Sequence, residues 1–275
     1  MVISHNLAAM NQSRQLKCNT KKTADSSRKL SSGYRINENA DDAAGLSISE
    51  TMRHQVRGLD RASTNVQDGI SMIQTADAAL EETQQILDRM VELTTQAAND
   101  INTEADREAI QEEIDQLTEE IDRIAYDTNF NDQYMLAAGS PKARPGYFNI
   151  QTGSLGGQNI RFEFVDASKE NLGVDKIDVS SYTSAGESIE KVQNAIAIAG
   201  EWRDEFGTVQ EQLEHATRGV DNTGENTQRA ESNIRDTNMN EELIRFTTNK
   251  ILVNASQSLL AQFNNRPQTI MALLK

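Results

Sequence analysis

Apolar residues recur at every seventh position through Met52, Leu59, Val66, Ile73, Leu80 and Leu87, and again through Val192, Ala199, Phe206, Leu213, Val220, Thr227 and Ile234. The residues three after the second set are Ala195, Trp202, Val209, Ala216, Thr223 and Ala230. They complete a seam of mostly apolar or small side chains with the 3.5-residue period of a coiled coil. A helix of roughly 50 residues is about 75 Å long at ~1.5 Å per residue, longer than a compact domain of this size is wide. The pattern predicts a mainly α protein: a long coiled-coil helical rod whose N- and C-terminal halves pack together.

Between the stripes, Thr103 and Asp106 have the spacing of a capping box, and Ile110, Ile114, Leu117, Ile121 and Ile124 alternate steps of four and three behind it. After Asn131 the period changes. Gly139, Pro141, Pro145 and Gly146 break helix, and Phe148 and Ile150, then Ile160, Phe162 and Phe164, alternate in the two-residue period of strands. A β-hairpin with its turn within Gly153–Gly157 is expected, with a second short extended piece over Val174–Val179. Helical periodicity returns near Ala185, although Gly200, Gly207, Gly219 and Gly224 each cost on the order of 1 kcal/mol against alanine inside a helix, so packing must offset them or the helix breaks there.

The ends differ from the middle. Val2, Ala9, Leu16, Thr23 and Leu30 form a weak heptad stripe that Gly33 can terminate, and Asn37–Gly45 reads as a linker. The last segment carries Leu243, Ile244, Phe246, Ile251, Leu252, Val253, Leu259, Leu260, Phe263, Ile270, Met271, Leu273 and Leu274. Neighbours such as Ile251-Leu252-Val253 point to different sides of a helix, so one partner inside the chain cannot cover them. Contact with other copies of the same chain is the simplest cover.

Composition sharpens this. Hydrophobic residues make up 37% and aromatics 5% of 275 residues, which suits narrow seams rather than a thick core. The net charge is −15, but residues through Ile36 carry +6 and those from Glu241 carry +2, leaving −23 in between. An acidic middle argues against nucleic acid. The single Cys18 permits no intrachain disulfide, and no apolar run is long enough for membrane insertion or compact enough near Met1 for a secretory signal. Export would need another route. The acid-poor start superficially resembles an organellar transit peptide, but its pattern is not confined to a removable leader.

Catalytic, metal and cofactor chemistry find no support. His5, His54 and His215 fall on separate helices without ligand spacing, and no nucleophile has a base motif beside it. Asp41 and Asp42 precede a helix, where carboxylates complement exposed amides, and the Gly153–Gly157 cluster lies between strands rather than before a helix.

The chain resembles bacterial flagellins. Leu30-Ser-Ser-Gly-Tyr-Arg-Ile-Asn37, Asp41-Asp-Ala-Ala-Gly-Leu-Ser-Ile-Ser-Glu50, Arg57-Gly58-Leu59 and Gln67-Asp-Gly-Ile-Ser-Met-Ile-Gln-Thr-Ala76 follow that family's N-terminal pattern. Leu213-Glu-His215, Ala230-Glu-Ser-Asn-Ile-Arg-Asp236 and Leu259-Leu-Ala-Gln262 followed by Pro267 follow its C-terminal one. The resemblance implies a structural subunit, not an enzyme. It would self-assemble into the extracellular flagellar filament for motility, with termini that order on assembly. It implies a terminal coiled-coil domain of residues 1–42 and 236–275 lining the inner tube, and a helical domain of residues 43–235 whose hairpin region covers 140–183, without outer variable domains. Assembly contacts are then expected from Ile3, Leu7, Leu16, Leu30, Ile251, Leu252, Leu259, Leu260, Phe263, Leu273 and Leu274.

The family's partners are the flagellar type III export apparatus, an export chaperone for the apolar tail, the filament cap and hook-junction proteins, and an animal Toll-like receptor. The receptor motif falls on Leu87-Asp-Arg-Met-Val-Glu-Leu93, with Asp88 where the family has glutamine, and implies recognition through Arg89, Leu93, Glu113 and Gln116. Arg89 lies off the seam and Leu93 at a position flanking it, where the bland reading is a solvated charge and a seam edge. Two other readings are a hook–filament junction protein of the same superfamily, and a free coiled-coil module whose basic, amphipathic start lies on anionic membrane.

Overall fold

The fold is taken from a computed structural model of the chain, which describes residues 6–137, 147–163 and 165–273, the last seven of these by backbone alone. It is 76% helical, with six helices and two small antiparallel sheets among the described residues. The helices are α1 (Leu7–Ser32), α2 (Ala43–Ala97), α3 (Glu104–Asp127), α4 (Lys169–Leu172), α5 (Tyr182–Arg235) and α6 (Met239–Leu273). The strands are β1 (Asn129–Phe130), β2 (Gln133–Tyr134), β3 (Tyr147–Gln151) and β4 (Asn159–Glu163). Packing divides the chain into two units, one of residues 1–55 with 226–275 and one of residues 56–225. The division falls inside α2 and α5, whereas the family resemblance implies one at the start of α2 and the end of α5.

In the unit of residues 56–225 the heptad stripes become core. Leu59, Val66, Ile73, Leu80 and Leu87 of α2 are buried, as are Val192, Ala199, Phe206, Leu213 and Val220 of α5. The residues of α3 at the same spacing join them: Ile110, Ile114 and Ile121 are buried, with Leu117 packed against them. The helix starts as its sequence dictates. Asp106 N–H donates to Thr103 Oγ1 at 3.3 Å and Thr103 N–H donates to Asp106 Oδ2 at 3.0 Å, the reciprocal bonds of a capping box. The Thr103 hydroxyl and amide hold the Asp106 carboxyl below its ordinary range. One seam position departs from the pattern: Thr223 is exposed and Gly224 is buried instead.

Helix α5 runs unbroken through its glycines. A Cβ at Gly200, Gly207 or Gly219 would meet nothing within 4 Å, so their cost as flexible residues is not offset by close packing there. Glycines on α2 behave differently. A Cβ at Gly69 would fall inside the Ile150 side chain, and one at Gly58 would lie 2.8 Å from Ser154 Cβ. These two positions let the β3–β4 hairpin lie directly on the helix. Gly207→Ala is therefore expected to raise the stability of this unit by up to about 1 kcal/mol, and Gly69→Val to lower it by about 1–3 kcal/mol through overpacking; thermal denaturation of the monomer measures both signs.

The hairpin forms where the two-residue period places it. Phe148 pairs with Phe162 and Ile150 with Ile160, and the phenyl rings stack at 5.2 Å between centroids. Ile150 and Phe162 bury the inner face against residues of α2 and α5. Gly139, Pro141, Pro145, Gly146 and Phe164 lie outside the described residues. The expected extended piece at Val174–Val179 is not a strand. After the single turn of α4 the chain is irregular, yet Val174, Ile177 and Val179 are buried. Their burial reflects contact with a helical core rather than a ladder: the Val179 N–H donates to Gln111 Oε1 and Gln111 Nε2 donates to the Ile177 carbonyl, so α3 satisfies backbone that a second strand would otherwise pair. A second, two-residue hairpin at β1–β2 turns on Asn131 and Asp132 at φ 52° and 60°, the left-handed pair of a type I′ turn.

Candidate assembly surface

The unit of residues 1–55 with 226–275 is built on α1 and α6. Asn6 caps α1 through its side-chain oxygen, which accepts from Ala9 N–H, and Gly33 ends it in the left-handed region at φ 75°. The inward positions of α1 are the half-buried Ala9, Leu16, Thr23 and Leu30, with the buried Asn19 and Ser26 three residues after Leu16 and Thr23. On α6 the inward set is Glu242, Phe246, Asn249, Val253, Ser256, Leu260 and Phe263, alternating steps of four and three. This is a coiled-coil seam, but its most buried members are polar. Asn19 Nδ2 donates to Ser256 Oγ at 3.2 Å and Asn6 Nδ2 donates to the Phe263 carbonyl at 2.9 Å, which fixes the register of the two helices at some expense of stability.

The apolar residues of α6 point elsewhere. Leu243 is 55% exposed, Ile244 67%, Ile251 62%, Leu252 45% and Leu259 43%. Leu7 of α1 is exposed as well. The expected assembly residues thus fall into two groups. Leu16, Leu30, Leu260 and Phe263 lie half-buried in the seam, and Leu7, Ile251, Leu252 and Leu259 lie outside it. Ile3 and Leu274 lie outside the described residues, as does the side chain of Leu273. Completing the burial of each outward residue is worth on the order of 1 kcal/mol.

The turns α1–α2 and α5–α6 are clasped together within the same unit. Arg35 N–H donates to the Arg235 carbonyl at 2.7 Å and Thr237 N–H to the Gly33 carbonyl at 2.9 Å, forming an antiparallel bridge between Tyr34 and Asp236. Arg235 lies over the Tyr34 ring at 4.8 Å and donates to Glu50 Oε1 at 2.6 Å. That bond holds the Glu50 carboxyl below its ordinary range. Arg28 donates to Asp25 and Glu38. Asp42 accepts from Gly45 N–H at the start of α2, as expected of a cap. Asp41 instead folds back to accept from Asn37 and Glu38 N–H, bonds that depress its pKa, chiefly through Asn37. The sequence motifs Leu30–Asn37, Asp41–Glu50 and Ala230–Asp236 all converge on this clasp, and Asn37–Gly45, which reads as a linker in the sequence, runs beside it.

The expected receptor residues lie in the other unit. Arg89 donates through Nε and Nη2 to Glu113 Oε1 at 3.2 and 2.9 Å, and through Nη1 to Glu92 Oε2 at 2.8 Å. Glu92 and then Glu113 raise the pKa of the guanidinium. Arg89, Glu113 and the exposed Gln116 therefore share one face of the α2–α3 pair. Leu93 does not flank the seam at the surface. It is 2% exposed and packs in the core with Leu87, Met90 and Ala97. The reason is a third heptad stripe, Met72, Ala79, Ile86 and Leu93, which α2 needs because it packs against both α3 and α5. That stripe was readable in the sequence.

Long heptad helices, a polar seam and apolar faces left to water define a structural protein that is completed by copies of itself. The N-terminal helical region of bacterial flagellin matches residues 3–140 and the C-terminal helical region matches residues 189–274. The flagellin of Halalkalibacterium halodurans is 43% identical over 277 residues, covering all of both chains. That of Bacillus subtilis is 40% identical over 305 residues, again covering both chains completely. The crystal structure of Bacillus cereus flagellin superposes with a TM-score of 0.53 at 31% identity, over 57% of this chain and 88% of that one. The chain belongs to the bacterial flagellin family and is a structural subunit of the flagellar filament, which it forms by self-polymerisation. These full-length matches favour the filament subunit over the hook–filament junction protein. No helix among the described residues is long and apolar enough to cross a membrane.

Proposed function

We propose that the filament is held together chiefly through α6 and α1, which form its inner tube as residues 1–42 and 236–275, while residues 43–235 form the shell around them. The observation that carries this reading is the set of large apolar side chains on α6 that α1 leaves exposed, Ile244 and Ile251 above all. With no domain beyond that shell among the described residues, the filament is thin and smooth, and density lobes projecting past the helical shell would overturn this. The subunit reaches the cell exterior through the flagellar type III export apparatus, and an export chaperone covers residues 243–274 until then. Filament cap and hook-junction proteins bound the polymer. An animal Toll-like receptor reads Arg89, Glu113 and Gln116, with Leu93 supporting that face from beneath.

Seeded polymerisation of Ile251→Asp tests the central point. A charge at a contact that must become dry raises the monomer concentration needed for growth by about tenfold or more, while the circular dichroism of the monomer stays unchanged because the side chain is mostly solvated there. Growth at the unmodified chain's concentration would show that this face of α6 stays wet in the polymer.

A further inference from the structure

The back of α1 is a ridge of cations. Met10, Arg14, Lys17 and Lys21 follow one another at steps of four, three and four, with Leu7 ahead of them and Lys22 beside them, and all are exposed. At about 100° per residue, Lys17 stands about 180° round the helix from Ser26 and Lys21 about 180° from Leu30, so the ridge lies opposite the seam with α6.

Nothing close in the chain neutralises it. Asp25 is the first acidic residue of the chain, and it pairs with Arg28 at 3.1 Å. No acidic residue follows Glu242, and Glu241 and Glu242 both face Arg245. Among the described residues, Arg14, Lys17, Lys21 and Lys22 make no ion pair, whereas Arg28 reaches Asp25, Glu38 and Asp41. Like charges three and four residues apart on a helix repel one another. The fold leaves that repulsion in place.

The same face begins with large apolar side chains, Leu7 at 70% exposure and Met10 at 58%. From Leu7 to Lys22 the ridge is about 22 Å long at ~1.5 Å per residue. A compact anion would meet one or two of these cations, whereas a charged plane meets all four. Apolar and cationic side chains on one face of a helix suit the headgroup region of an anionic bilayer, where lysine and arginine stems reach out to the phosphates and apolar groups sit at the edge of the acyl layer. The apolar face of α6 looks the other way. Ile244 and Ile251 stand about 180° round α6 from the seam residues Val253 and Leu260, so the two surfaces lie on opposite sides of the pair.

We propose that the unassembled subunit lies with the back of α1 on an anionic lipid surface, held by Arg14, Lys17, Lys21 and Lys22 at the lipid phosphates and by Leu7 and Met10 at the acyl boundary. The contact is peripheral and crosses nothing. It rests on the export reading above: a subunit held on the membrane searches a plane rather than a volume for the apparatus that carries it out, and a chaperone on residues 243–274 leaves the ridge uncovered.

Vesicles test it with the full chain, kept monomeric below the concentration needed for growth. At low salt the chain co-sediments with vesicles containing phosphatidylglycerol and not with phosphatidylcholine alone, and salt near 1 M, where the screening length is about 3 Å, releases it. Lys17→Gln/Lys21→Gln/Lys22→Gln binds about a hundredfold more weakly, with the circular dichroism of the unmodified chain because all three side chains are solvated. A solvatochromic maleimide on Cys18, the single thiol of the chain and exposed beside Lys17, shifts to the blue on the anionic vesicles. Ile251→Asp binds vesicles as the unmodified chain does. Absence of binding to phosphatidylglycerol at low salt overturns the proposal, and loss of binding in Ile251→Asp overturns it by moving the contact to α6. Full binding by the triple variant overturns it as well, and if that variant no longer grows filaments the ridge serves a contact between copies instead. Failure of the unmodified chain to grow from seeds would overturn the filament reading, while the vesicle measurements still decide the lipid contact.

Discussion

Chains that end at Glu242 form no filaments, whether seeded or salted out, yet keep the fold of residues 56–225. The deletion removes Leu243, Ile244, Ile251, Leu252 and Leu259, which are 43–67% exposed in the monomer and are left uncovered by the described residues. At on the order of 1 kcal/mol for each side chain covered by neighbours, their loss weakens association by roughly three powers of ten or more per subunit. It also strips α1 of the seam made by Phe246, Val253, Ser256, Leu260 and Phe263. A polar helix of this length is marginal in water once its partner is gone, so the second assembly element is lost with the first. Trp202 reports on the remainder, since the only tryptophan of the chain packs against the clusters around Leu87 and Phe206. Electron microscopy and sedimentation after seeding read the polymer, and Trp202 emission reads the monomer. Filaments from the shortened chain, with unchanged emission, would place the decisive contacts outside α6.

How far this was legible in the sequence depended on what each residue packs against. The a and d stripes of α2, α3 and α5, the capping box at Thr103 and the β3–β4 hairpin follow from local periods and local hydrogen bonds, and they appear where those periods put them. The α1–α6 seam was only half legible. Its stripe of Ala9, Leu16, Thr23 and Leu30 could be read, but the polar d positions Asn19 and Ser26 look solvated until the partner helix covers both and brings Ser256 to bond Asn19. The clasp at Tyr34 and Asp236 joins residues about two hundred apart, a separation that no local period encodes. Leu93 takes an edge position when two helices pair, whereas a helix packed on two sides buries it. Val174–Val179 differs in the opposite way: Val174, Ile177 and Val179 are apolar and buried, but the backbone bonds go to Gln111 rather than to a strand.

Leu80→Ala is expected to cause the largest loss of monomer stability among conservative substitutions, about 3 kcal/mol, while leaving the assembly surfaces intact. Leu80 is fully buried among Val66, Ile73, Ala76, Phe206 and Leu213. Truncation removes buried methyl groups and leaves a cavity that neighbours fixed on α2 and α5 cannot close, the situation in which a leucine deletion costs about 2–5 kcal/mol. For a unit of this size the melting temperature falls by about 10 °C. Leu7→Ala is the control: at 70% exposure the same kind of change stays within about 0.5 kcal/mol in the monomer. Assembly reverses the order. Leu7 belongs to the proposed inner-tube contact, so its truncation raises the concentration needed for growth, whereas Leu80→Ala filaments grow normally at 25 °C and dissolve at a lower temperature than unmodified ones. Calorimetry of the monomers and turbidity of the filaments give both orders. If Leu80→Ala instead impaired growth at 25 °C more than Leu7→Ala did, the stability of the helical core, and not the uncovered faces of the terminal helices, would limit polymerisation.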